Sequence, residues 1–466
     1  MDTPTASFDV LVIGAGISGL TVAHTLQSAG ADVGVVDAGD APGGVIATRE
    51  RDGFLYETGA NSALDTSPLI DRLFADVGVL GERRDAGAVG SKRFIVRGGK
   101  LVALPTSPGA FLATSAFTLG AKLRLLREPF VAPAAAGAEE SIADFVRRRL
   151  GNEFLDYAID PFVSGIYAGD PERISVPAAF PRLHALEQKY GSLIRGQIRG
   201  AKERRQRGEA SKNAAKSFSF ARGMDTPARA IARRLLRCET GVRVTSVTRG
   251  RDAFAVEGMR RGERVRYAAR SVVVSAAAHA AAPMFDASAP ALSRALAAVE
   301  YAPVCVVASA FRRADVAHPL DGFGVLVPKK ERRRILGTLF SSSLFEGRAP
   351  PGHALLTTFA GGRRNPDLAA LDDGALLRAV SGDLEGLLGA RNALWHEIVR
   401  WPQAIPQYTI GHLARIAAVD AAAAALPGLH FCANWRGGVA FGDCIKNGVE
   451  LAERLRSTLA APVPAA

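Results

Sequence analysis

The chain has 466 residues, 48% of them hydrophobic, which is enough for about three domain-sized units with buried cores. It carries 58 Lys and Arg against 46 Asp and Glu, and the formal charge of +12 fits an acidic partner (anionic lipid, nucleic acid or a carboxylate-rich substrate) or a simple solvated surface. The four cysteines form no C-x-x-C pair and have no histidine at metal-ligand spacing, so we expect neither a disulfide framework nor a metal site. No run of 18 apolar residues is present, so we expect no transmembrane helix.

The N-terminal residues 8–44, FDVLVIGAGISGLTVAHTLQSAGADVGVVDAGDAPGG, predict a βαβ unit. A first apolar run, of strand length rather than signal-peptide length, leads to Gly14, Gly16 and Gly19; a helical pattern follows, and a second strand ends at Asp37. This is the context that a dinucleotide-binding fingerprint requires. The glycines allow a tight turn, the helix N-terminus attracts a pyrophosphate, and the acid can accept hydrogen bonds from a ribose.

A glycine pair and two further segments add to this unit. Gly43 and Gly44 follow the second strand, GFLYETGANS occupies residues 53–62, and residues 428–455 predict a strand, a Gly-Gly turn and a helix. The arrangement resembles the FAD-binding half of the amine oxidase and phytoene desaturase superfamily, whose members return to the flavin near the C-terminus. The residues expected to contact FAD are Gly14, Ala15, Gly16, Ser18, Gly19, Asp37, Gly43, Gly44, Gly59, Ala60, Asn61, Val244, Gly438, Val439 and Ala440.

The middle of the chain differs in character. Residues 104–133 are apolar with Pro, Ser and Gly interruptions and several cations, and residues 147–149 and 195–216 are dense in positive charge. These runs are either solvated helix faces or contacts to anionic lipid, where each cation contributes roughly 1 kcal/mol. Residues 372–388 predict an amphipathic helix. Strands are predicted at residues 243–247, 271–276, 301–311 and 322–327.

Seven further segments, spread over nearly the whole chain, carry a more specific pattern. They are KRFIVRGGKLVALPTSP (92–108), DPFVSGIYAGDPERIS (160–175), LEQKYGS (186–192), SFARGMDTPARAIA (219–232), GFGVLVP (322–328), WPQAIPQYTIGH (401–412) and GGVAFGDCIKNG (437–448). Together, and in this order, they resemble the FAD-dependent protoporphyrinogen oxidases of haem and chlorophyll synthesis and their coproporphyrinogen-oxidising relatives. One departure is Val45-Ile46, where the family often has an aromatic residue or Arg.

The resemblance implies an α/β plus α+β fold of three domains. A Rossmann-type FAD-binding domain, discontinuous in sequence, is expected beside a mixed-sheet substrate domain and a helical domain that rests on a membrane. The predicted bounds are residues 1–85, 216–300 and 412–466 for the FAD domain, 86–105 and 301–411 for the substrate domain, and 106–215 for the helical domain.

The resemblance also implies stepwise removal of six electrons from a porphyrinogen, with FAD reoxidised by oxygen to hydrogen peroxide. The segment 160–175 contains no His, Cys or Lys, which fits a reaction whose chemistry belongs to the cofactor while the protein supplies orientation. By resemblance, the carbonyl of Gly165 hydrogen-bonds the pyrrole N–H groups and Arg93 pairs with a propionate. The residues expected to sandwich the tetrapyrrole faces are Phe162, Phe323 and Leu326.

Each of these residues also has a structural interpretation. Gly165 could simply form a turn, Arg93 could be a surface residue, and Phe162, Phe323 and Leu326 could belong to the core. His184 and His412 are expected to be structural rather than catalytic.

Three functions therefore compete: a porphyrinogen oxidase, another FAD oxidase acting on amines or polyenes, and a flavin-free Rossmann binding protein. Within the first, GVAFGDC and GFGVLVP favour protoporphyrinogen IX over coproporphyrinogen III. The expected small molecules are the porphyrinogen, FAD and oxygen, and no metal or nucleic acid is expected. The expected location is the cytoplasm, peripheral on the inner face of the cell membrane, with a ferrochelatase or a second copy of the chain as further partners.

Overall fold

The computed structural model describes residues 4–135, 137–206 and 216–459. Its first sheet has seven strands and combines parallel central strands with an antiparallel extension. In hydrogen-bonded order the strands are Arg237–Glu239, Val33–Val36, Ala6–Ile13, Glu263–Val274, Phe254–Arg260 and Val242–Arg249, and Leu429–Phe431 pairs with the C-terminal half of Glu263–Val274.

The central strands of this sheet are buried on both faces, which explains why they are nearly continuous runs of Val, Leu and Ile. Along the strand Ala6–Ile13, Val10 and Val12 enter one core cluster, and Leu11 and Ile13 enter the cluster on the opposite face. The strands predicted at residues 243–247 and 271–276 both belong to this sheet.

The second sheet also has seven strands and is antiparallel except for one pair. In order the strands are Trp395–Pro406, Tyr301–Arg312, His353–Gly361, Ile335–Leu339, Gly324–Leu326, Arg93–Arg97 and Lys100–Ala103. They come from the two segments that were predicted to form a substrate domain. The helix Asp373–Leu388 packs on this sheet; the Asp372 side chain accepts a hydrogen bond from Ala375 N at 2.8 Å at its start, and the left-handed Gly389 ends it.

Residues 104–206 are mainly helical. The α-helices of this region are Pro108–Ala113, Leu119–Leu126, Ile142–Arg149, Asn152–Phe154, Asp160–Tyr167, Val176–Ala179, Pro181–Tyr190 and Leu193–Gln206. A buried ion pair, 2.6 Å between Arg149 Nη1 and Glu128 Oε1, holds the helix Ile142–Arg149 to the turn after Leu119–Leu126, and Glu187 of the helix Pro181–Tyr190 also binds Arg149. The cationic stretch predicted at residues 195–216 is described only up to residue 206, and residues 207–215 lie outside the described residues.

The remaining elements complete a mixed α/β fold with mixed sheets. The other α-helices are Ile17–Ser28, Pro68–Asp76, Thr226–Arg234, Ala278–Ala281, Pro290–Ala297, Ser341–Leu344, His412–Ala423 and Phe441–Leu459. Small sheets are formed by Thr48–Arg51 with Phe54–Glu57, and by Ala63–Leu64, Ser217–Phe220 and Arg83–Asp85. Across the described ranges, none of the helices combines the length and the apolar character that crossing a bilayer requires.

Candidate active site

The glycine-rich loop after the first strand is shaped by close contacts that only glycine allows. Gly14 has φ of +113°, and a Cβ there would lie 2.9 Å from the carbonyl carbon of Ser275. A Cβ on Gly19 would overlap the Gly14 carbonyl oxygen. At Gly16, by contrast, an added Cβ would meet no protein atom within 4 Å, so the loop is open on that side.

The helix that follows this loop offers an uncapped N-terminus. The helix Ile17–Ser28 begins after Gly16 with no side-chain capping hydrogen bond and no acidic residue in its first turn. Its first N–H groups and the positive end of its dipole therefore remain available to an anion. A pyrophosphate meets these conditions.

Asp37 has a role that the sequence did not predict. Its Oδ2 accepts a hydrogen bond from Ala15 N at 2.6 Å, and its Oδ1 accepts one from Gly39 N at 2.7 Å. The carboxylate thus ties the end of the second strand to the glycine-rich loop. Because each carboxylate oxygen has a second lone pair, Asp37 can still accept a ribose hydroxyl as predicted.

The predicted glycine pair and the segment 53–62 join the same loop. Gly43 N donates to Ala15 O at 2.8 Å, and a Cβ on Gly59 would overlap the Val45 carbonyl oxygen. Asn61 Nδ2 donates to Gly59 O at 3.0 Å, which orders the turn that contains Ala60.

The C-terminal glycine turn completes this arrangement. Gly438 has φ of +124° and is followed by Val439, Ala440 and the helix Phe441–Leu459. A Cβ on Gly448 in that helix would lie 2.9 Å from Thr21 Cβ, so the first and last long helices are in close contact. This packing brings the two glycine-rich ends of the chain together.

Val244 lies near the same edge of the first sheet. It is buried in the strand Val242–Arg249, whose first residue donates from its N–H to Asp37 O at 2.8 Å. The predicted cofactor residues therefore share one region, and the open loop, uncapped helix and second glycine turn fit a dinucleotide such as FAD.

The predicted substrate residues lie on a different wall. In the helix Asp160–Tyr167, Phe162, Gly165 and Ile166 are exposed and share one face, and the Phe162 and Ile166 side chains are 45% and 38% exposed. A Cβ on Gly165 would lie 2.9 Å from Leu326 Cδ2, so this face of the helix meets the second sheet at Leu326.

Arg93 is close to Phe323, and the family resemblance assigned both residues to the substrate site. Its guanidinium carbon lies 5.1 Å from the Phe323 ring centroid, and its strand pairs in parallel with Gly324–Leu326. The Arg93 side chain is exposed and forms no hydrogen bond or ion pair within residues 4–135, 137–206 and 216–459. Its neighbour Lys92, in contrast, is paired with Asp321. The Arg93 guanidinium is therefore free to bind a carboxylate.

The backbone geometry leaves the Gly165 carbonyl without a partner. The helix ends at Tyr167, and Ala168 adopts the left-handed conformation with φ of +46°. Ala168 N donates to Ser164 O at 2.9 Å, and Tyr167 O accepts from Gln407, but no described residue donates to Gly165 O. Carbonyls in the last turn of a helix have no N–H partner within the helix, so they can accept hydrogen bonds from outside it.

Sequence reasoning missed Phe359. Strand register places Leu326 opposite Gly337 and Gly337 opposite Phe359, so Leu326 and Phe359 project from the same face of the sheet with only a glycine between them. Phe359 is partly buried and packs against the core cluster that includes Ala168, the residue after the Gly165 helix. Only the register of strands far apart in sequence could have identified it.

A buried ion pair holds the start of the Gly165 helix and was also missed. Arg364 Nη2 donates to Asp160 Oδ2 at 2.9 Å, and Arg364 Nη1 donates to Val327 O at 2.6 Å. Lys329 N donates to the same Asp160 oxygen at 2.7 Å. Burial raises the pKa of the Asp160 carboxyl, and Arg364 opposes that change.

The two histidines considered from sequence sit in different environments. His412 is buried and stacks on Tyr408 with ring centroids 4.2 Å apart, and neither ring nitrogen has a hydrogen-bond partner in the described part of the chain. Burial lowers its pKa to about 4, so the ring is neutral at physiological pH. His184 lies in the helix Pro181–Tyr190 and is partly exposed.

Comparison with known proteins identifies relatives over nearly the whole chain. The model of the family described as flavin containing amine oxidoreductase matches residues 17–456. The chain is 34% identical to the mitochondrial protoporphyrinogen oxidase of Nicotiana tabacum, over 97% of this chain and 95% of that protein. It is 29% identical to the coproporphyrinogen III oxidase of Bacillus subtilis, over 94% and 96%. A crystal structure from Exiguobacterium sp. 255-15 superimposes with a TM-score of 0.79 at 22% identity, covering 98% of this chain and 100% of that one.

Proposed function

Because this chain belongs to the flavin containing amine oxidoreductases, and within them to the relatives of the protoporphyrinogen oxidases, we propose that it oxidises protoporphyrinogen IX to protoporphyrin IX in haem biosynthesis. Its cofactor is FAD. The observation that carries the proposal is that, among the described residues, Gly165 O has no donor and Arg93 has no ion-pair partner, and that the helix of Gly165 meets Leu326, whose strand pairs with the strand of Arg93.

The chain's own residues have a limited chemical task. FAD, when bound, supplies the acceptor for the two electrons lost in each oxidation step. A methylene carbon of the substrate loses hydrogen with its electron pair, and an adjacent pyrrole N–H loses a proton. The Gly165 carbonyl accepts a hydrogen bond from pyrrole N–H groups, which orients the macrocycle and fixes which methylene carbon faces the cofactor.

The walls of the site hold the macrocycle by apolar contact with its pyrrole rings. Leu326 and Phe359 project from one face of the second sheet, and Phe162 and Ile166 project from the Gly165 helix. Apolar contact suits the hydrocarbon faces of a porphyrinogen, and burial of each large side chain contributes about 1.5–3 kcal/mol.

Charge near the site favours a substrate with few carboxylates. Arg93 is unpaired, whereas Lys92 is bound to Asp321 and Arg364 is bound to Asp160. Among these three cations, Arg93 alone has no ion pair within the described residues, and a single carboxylate contact suits the propionate edge of protoporphyrinogen, which has two carboxylates, better than the four carboxylates of coproporphyrinogen. Coproporphyrinogen III is the second candidate substrate, favoured by the similarity to the Bacillus subtilis enzyme.

The proposed electron acceptor is molecular oxygen. Oxidation of a porphyrinogen to a porphyrin removes six electrons and six protons, and reduction of three O2 to three H2O2 takes up the same number. Measurement of peroxide formed per porphyrin tests this stoichiometry directly.

We further propose that the helical region rests on an anionic membrane surface, on the cytoplasmic side. Leu119, Leu123 and Leu126 form one exposed stripe on the helix Leu119–Leu126, with side chains 71%, 55% and 67% exposed. Phe130 is 83% exposed, and Arg195 lies over its ring at 5.8 Å. This combination of exposed apolar side chains and cations is typical of helices that lie in a membrane interface.

Two of the cations expected at that surface have a different main contact. Lys122 Nζ donates to the carbonyls of Leu112 and Thr114, both at 2.8 Å, and Arg124 donates to Arg148 O at 2.8 Å. The proposed lipid contact therefore depends more on the exposed leucines than the sequence indicated. A ferrochelatase, which would consume the product, or a second copy of the chain are the protein partners that we propose to test.

The experiment that tests the function is anaerobic reduction of the purified flavoprotein. Protoporphyrinogen IX, coproporphyrinogen III and a panel of primary amines are each mixed with the enzyme, and the flavin absorbance near 450 nm is followed. We expect bleaching with a porphyrinogen and none with the amines. A colourless protein, or bleaching by amines alone, would rule the proposal out.

A further inference from the structure

Two consecutive residues after the strand Trp395–Pro406 contact the two halves of the active site. Gln407 binds the end of the Gly165 helix, and Tyr408 binds the C-terminal glycine turn. Both side chains are buried, with 0% and 3% of their surface exposed. They therefore connect the substrate wall and the cofactor wall through a single peptide unit.

Gln407 holds the carbonyl next to the substrate-facing turn. Its Nε2 donates to Tyr167 O at 2.7 Å and to Ile405 O at 3.0 Å. Tyr167 is the last residue of the helix that contains Gly165, so this bond fixes the turn from which the Gly165 carbonyl emerges. The next carbonyl, Ala168 O, accepts from Arg363 N at 2.8 Å.

The orientation of the Gln407 amide follows from its surroundings. Its two neighbours are carbonyl oxygens, which require the NH2 group to face them, and a flipped amide would bring three oxygens together. The Oε1 atom has no donor among the residues described, a cost of about 1–3 kcal/mol for a buried acceptor. A Cβ on Gly169 would lie 2.9 Å from that oxygen, so the chain bends tightly around the amide.

Tyr408 holds the cofactor turn from the other side. Its hydroxyl accepts a hydrogen bond from Gly438 N at 2.9 Å and donates one to Asn434 O at 2.8 Å. Burial raises the pKa of the Tyr408 phenol, so the hydroxyl keeps the proton that it donates. The ring is fixed by stacking on His412, and Tyr408 O accepts from Ser175 N at 2.8 Å.

The geometry points to Gln407 and Tyr408 as a pair of positioning residues that set the spacing between the Gly165 helix and the Gly438 turn. The inference rests on the proposed function, in which substrate and cofactor lie against these two walls. A reaction between bound groups is sensitive to their separation, and a displacement of about 1 Å can cost roughly 100-fold in rate. Neither side chain needs to touch the substrate for this effect.

The start of the Gly165 helix is held separately from its end, so Gln407 controls only the last turn. Asp160 is held by Arg364 and by Lys329 N, so the start of the helix is fixed independently of Gln407. Loss of the Gln407 bond should therefore tilt the last turn and leave the rest of the helix in place.

The test uses the holoenzyme with the single variants Gln407→Met and Tyr408→Phe, the double variant that combines them, and one control variant. Gln407→Met keeps the volume and removes both donors, and Tyr408→Phe removes only the hydroxyl. Gln188→Met is the control, because Gln188 is exposed on the helix Pro181–Tyr190. The measured quantities are the rate constant of anaerobic flavin reduction at saturating protoporphyrinogen, KM, the FAD dissociation constant and Tm.

We expect Gln407→Met to lower the reduction rate at least tenfold, with KM changed less than threefold and FAD affinity equal to that of the wild type. Tyr408→Phe should lower the rate similarly and also weaken FAD binding, because the Gly438 turn loses its acceptor. In the double variant of Gln407→Met with Tyr408→Phe, the fold-decrease in the reduction rate should be smaller than the product of the two single fold-decreases, because both substitutions relax the same spacing. Gln188→Met should match the wild type.

Gln407→Glu keeps the test decisive if Gln407→Met folds poorly. A protonated Glu can donate one hydrogen bond to Tyr167 O, whereas an ionised one repels it, so the rate should rise as pH falls, unlike that of the wild type. Wild-type rates in Gln407→Met and Tyr408→Phe, or a pH profile of Gln407→Glu that matches the wild type, would overturn the inference while the proposed function stands. A wild-type flavin that no porphyrinogen reduces would overturn both.

Discussion

The guanidinium carbon of Arg93 lies 5.1 Å from the centroid of the Phe323 ring. A cation–π contact of this kind contributes about 0.5–1 kcal/mol at an exposed site, and it restricts the Arg93 side chain without neutralising it. Arg93 is thus oriented in advance and still available to a substrate carboxylate.

Arg93→Ala should raise KM for protoporphyrinogen at least tenfold, which corresponds to about 1.4 kcal/mol, with a smaller loss in kcat. The contact exists equally in ground and transition states, so it appears mainly in KM. Arg93→Lys should recover only part, because the bidentate fork is lost. Steady-state porphyrin fluorescence measures both constants, and FAD content should stay normal. Arg312→Ala, at another exposed arginine, is the control; a wild-type KM in Arg93→Ala would assign the carboxylate contact to another cation.

Asp37→Ala should weaken FAD binding by roughly 1.5–3 kcal/mol, the value of a hydrogen bond to a charged acceptor. The loss should be at the upper end, because the Ala15 and Gly39 N–H groups lose their acceptor together with the ribose. Asp37→Asn should be intermediate, since one amide oxygen remains. Fluorescence titration of the apoprotein with FAD gives the dissociation constant, and Asp40→Ala, at an exposed acid nearby, serves for comparison. Equal FAD retention on dialysis would refute this role of Asp37.

A double variant, Leu123→Ser with Leu126→Ser, should reduce binding to anionic vesicles at least tenfold while porphyrinogen oxidation in detergent stays unchanged. The two side chains are exposed on one helical stripe, and their transfer from water provides the apolar part of the binding energy. Binding of the wild type should also weaken as salt screens the lipid charge. Leu236→Ser, at an 85% exposed leucine elsewhere, should bind like the wild type. If the wild-type protein does not bind anionic vesicles at low salt, the membrane proposal is excluded.

Stability should depend on pH through Glu128. Burial acts to raise the pKa of Glu128, but hydrogen bonds from Ser192, from the N–H groups of Leu193 and Ile194, and from Arg149 outweigh it, so the pKa lies below its usual value. A lowered carboxyl pKa contributes stability above the unfolded-state value near 4.5, and this contribution is lost as pH falls through the folded-state value.

Glu128→Ala should therefore cost about 3–5 kcal/mol at pH 7, the loss expected when one partner of a buried pair is removed, and less at pH 3. Unfolding by urea at several pH values measures the difference. Glu453→Gln, at an exposed position, should leave the pH dependence unchanged. A loss of stability in Glu128→Ala that is the same at pH 3 and pH 7 would contradict a lowered pKa of the Glu128 carboxyl in the folded protein.

Local sequence signals predicted the parts of the site that local geometry creates. The glycines at 14, 19 and 438 were recognisable because turns and close approaches need them, and Asp37 was recognisable from its place after a strand. The family resemblance, confirmed by the comparisons, supplied the fold class and FAD.

Long-range contacts could not be predicted in the same way. Arg348 Nη1 binds Glu57 Oε1 at 2.7 Å although the two residues are 291 positions apart, and this buried pair joins the segment 53–62 to the loop before the strand His353–Gly361. Phe359 became a wall residue only through strand register, and Gln407 became a helix contact only through a turn that the sequence does not mark. The membrane contact, the domain bounds and the roles of the site residues remain predictions.

The most direct test of the central claim is stopped-flow reduction of the wild-type flavin without oxygen, with protoporphyrinogen IX and coproporphyrinogen III compared at equal concentrations. We predict rapid loss of absorbance near 450 nm with protoporphyrinogen IX, formation of porphyrin fluorescence at the same rate, and a slower reaction with coproporphyrinogen III. Faster reduction by coproporphyrinogen III would reassign the substrate. Absence of reduction by either porphyrinogen, in protein that holds its FAD, would contradict the account.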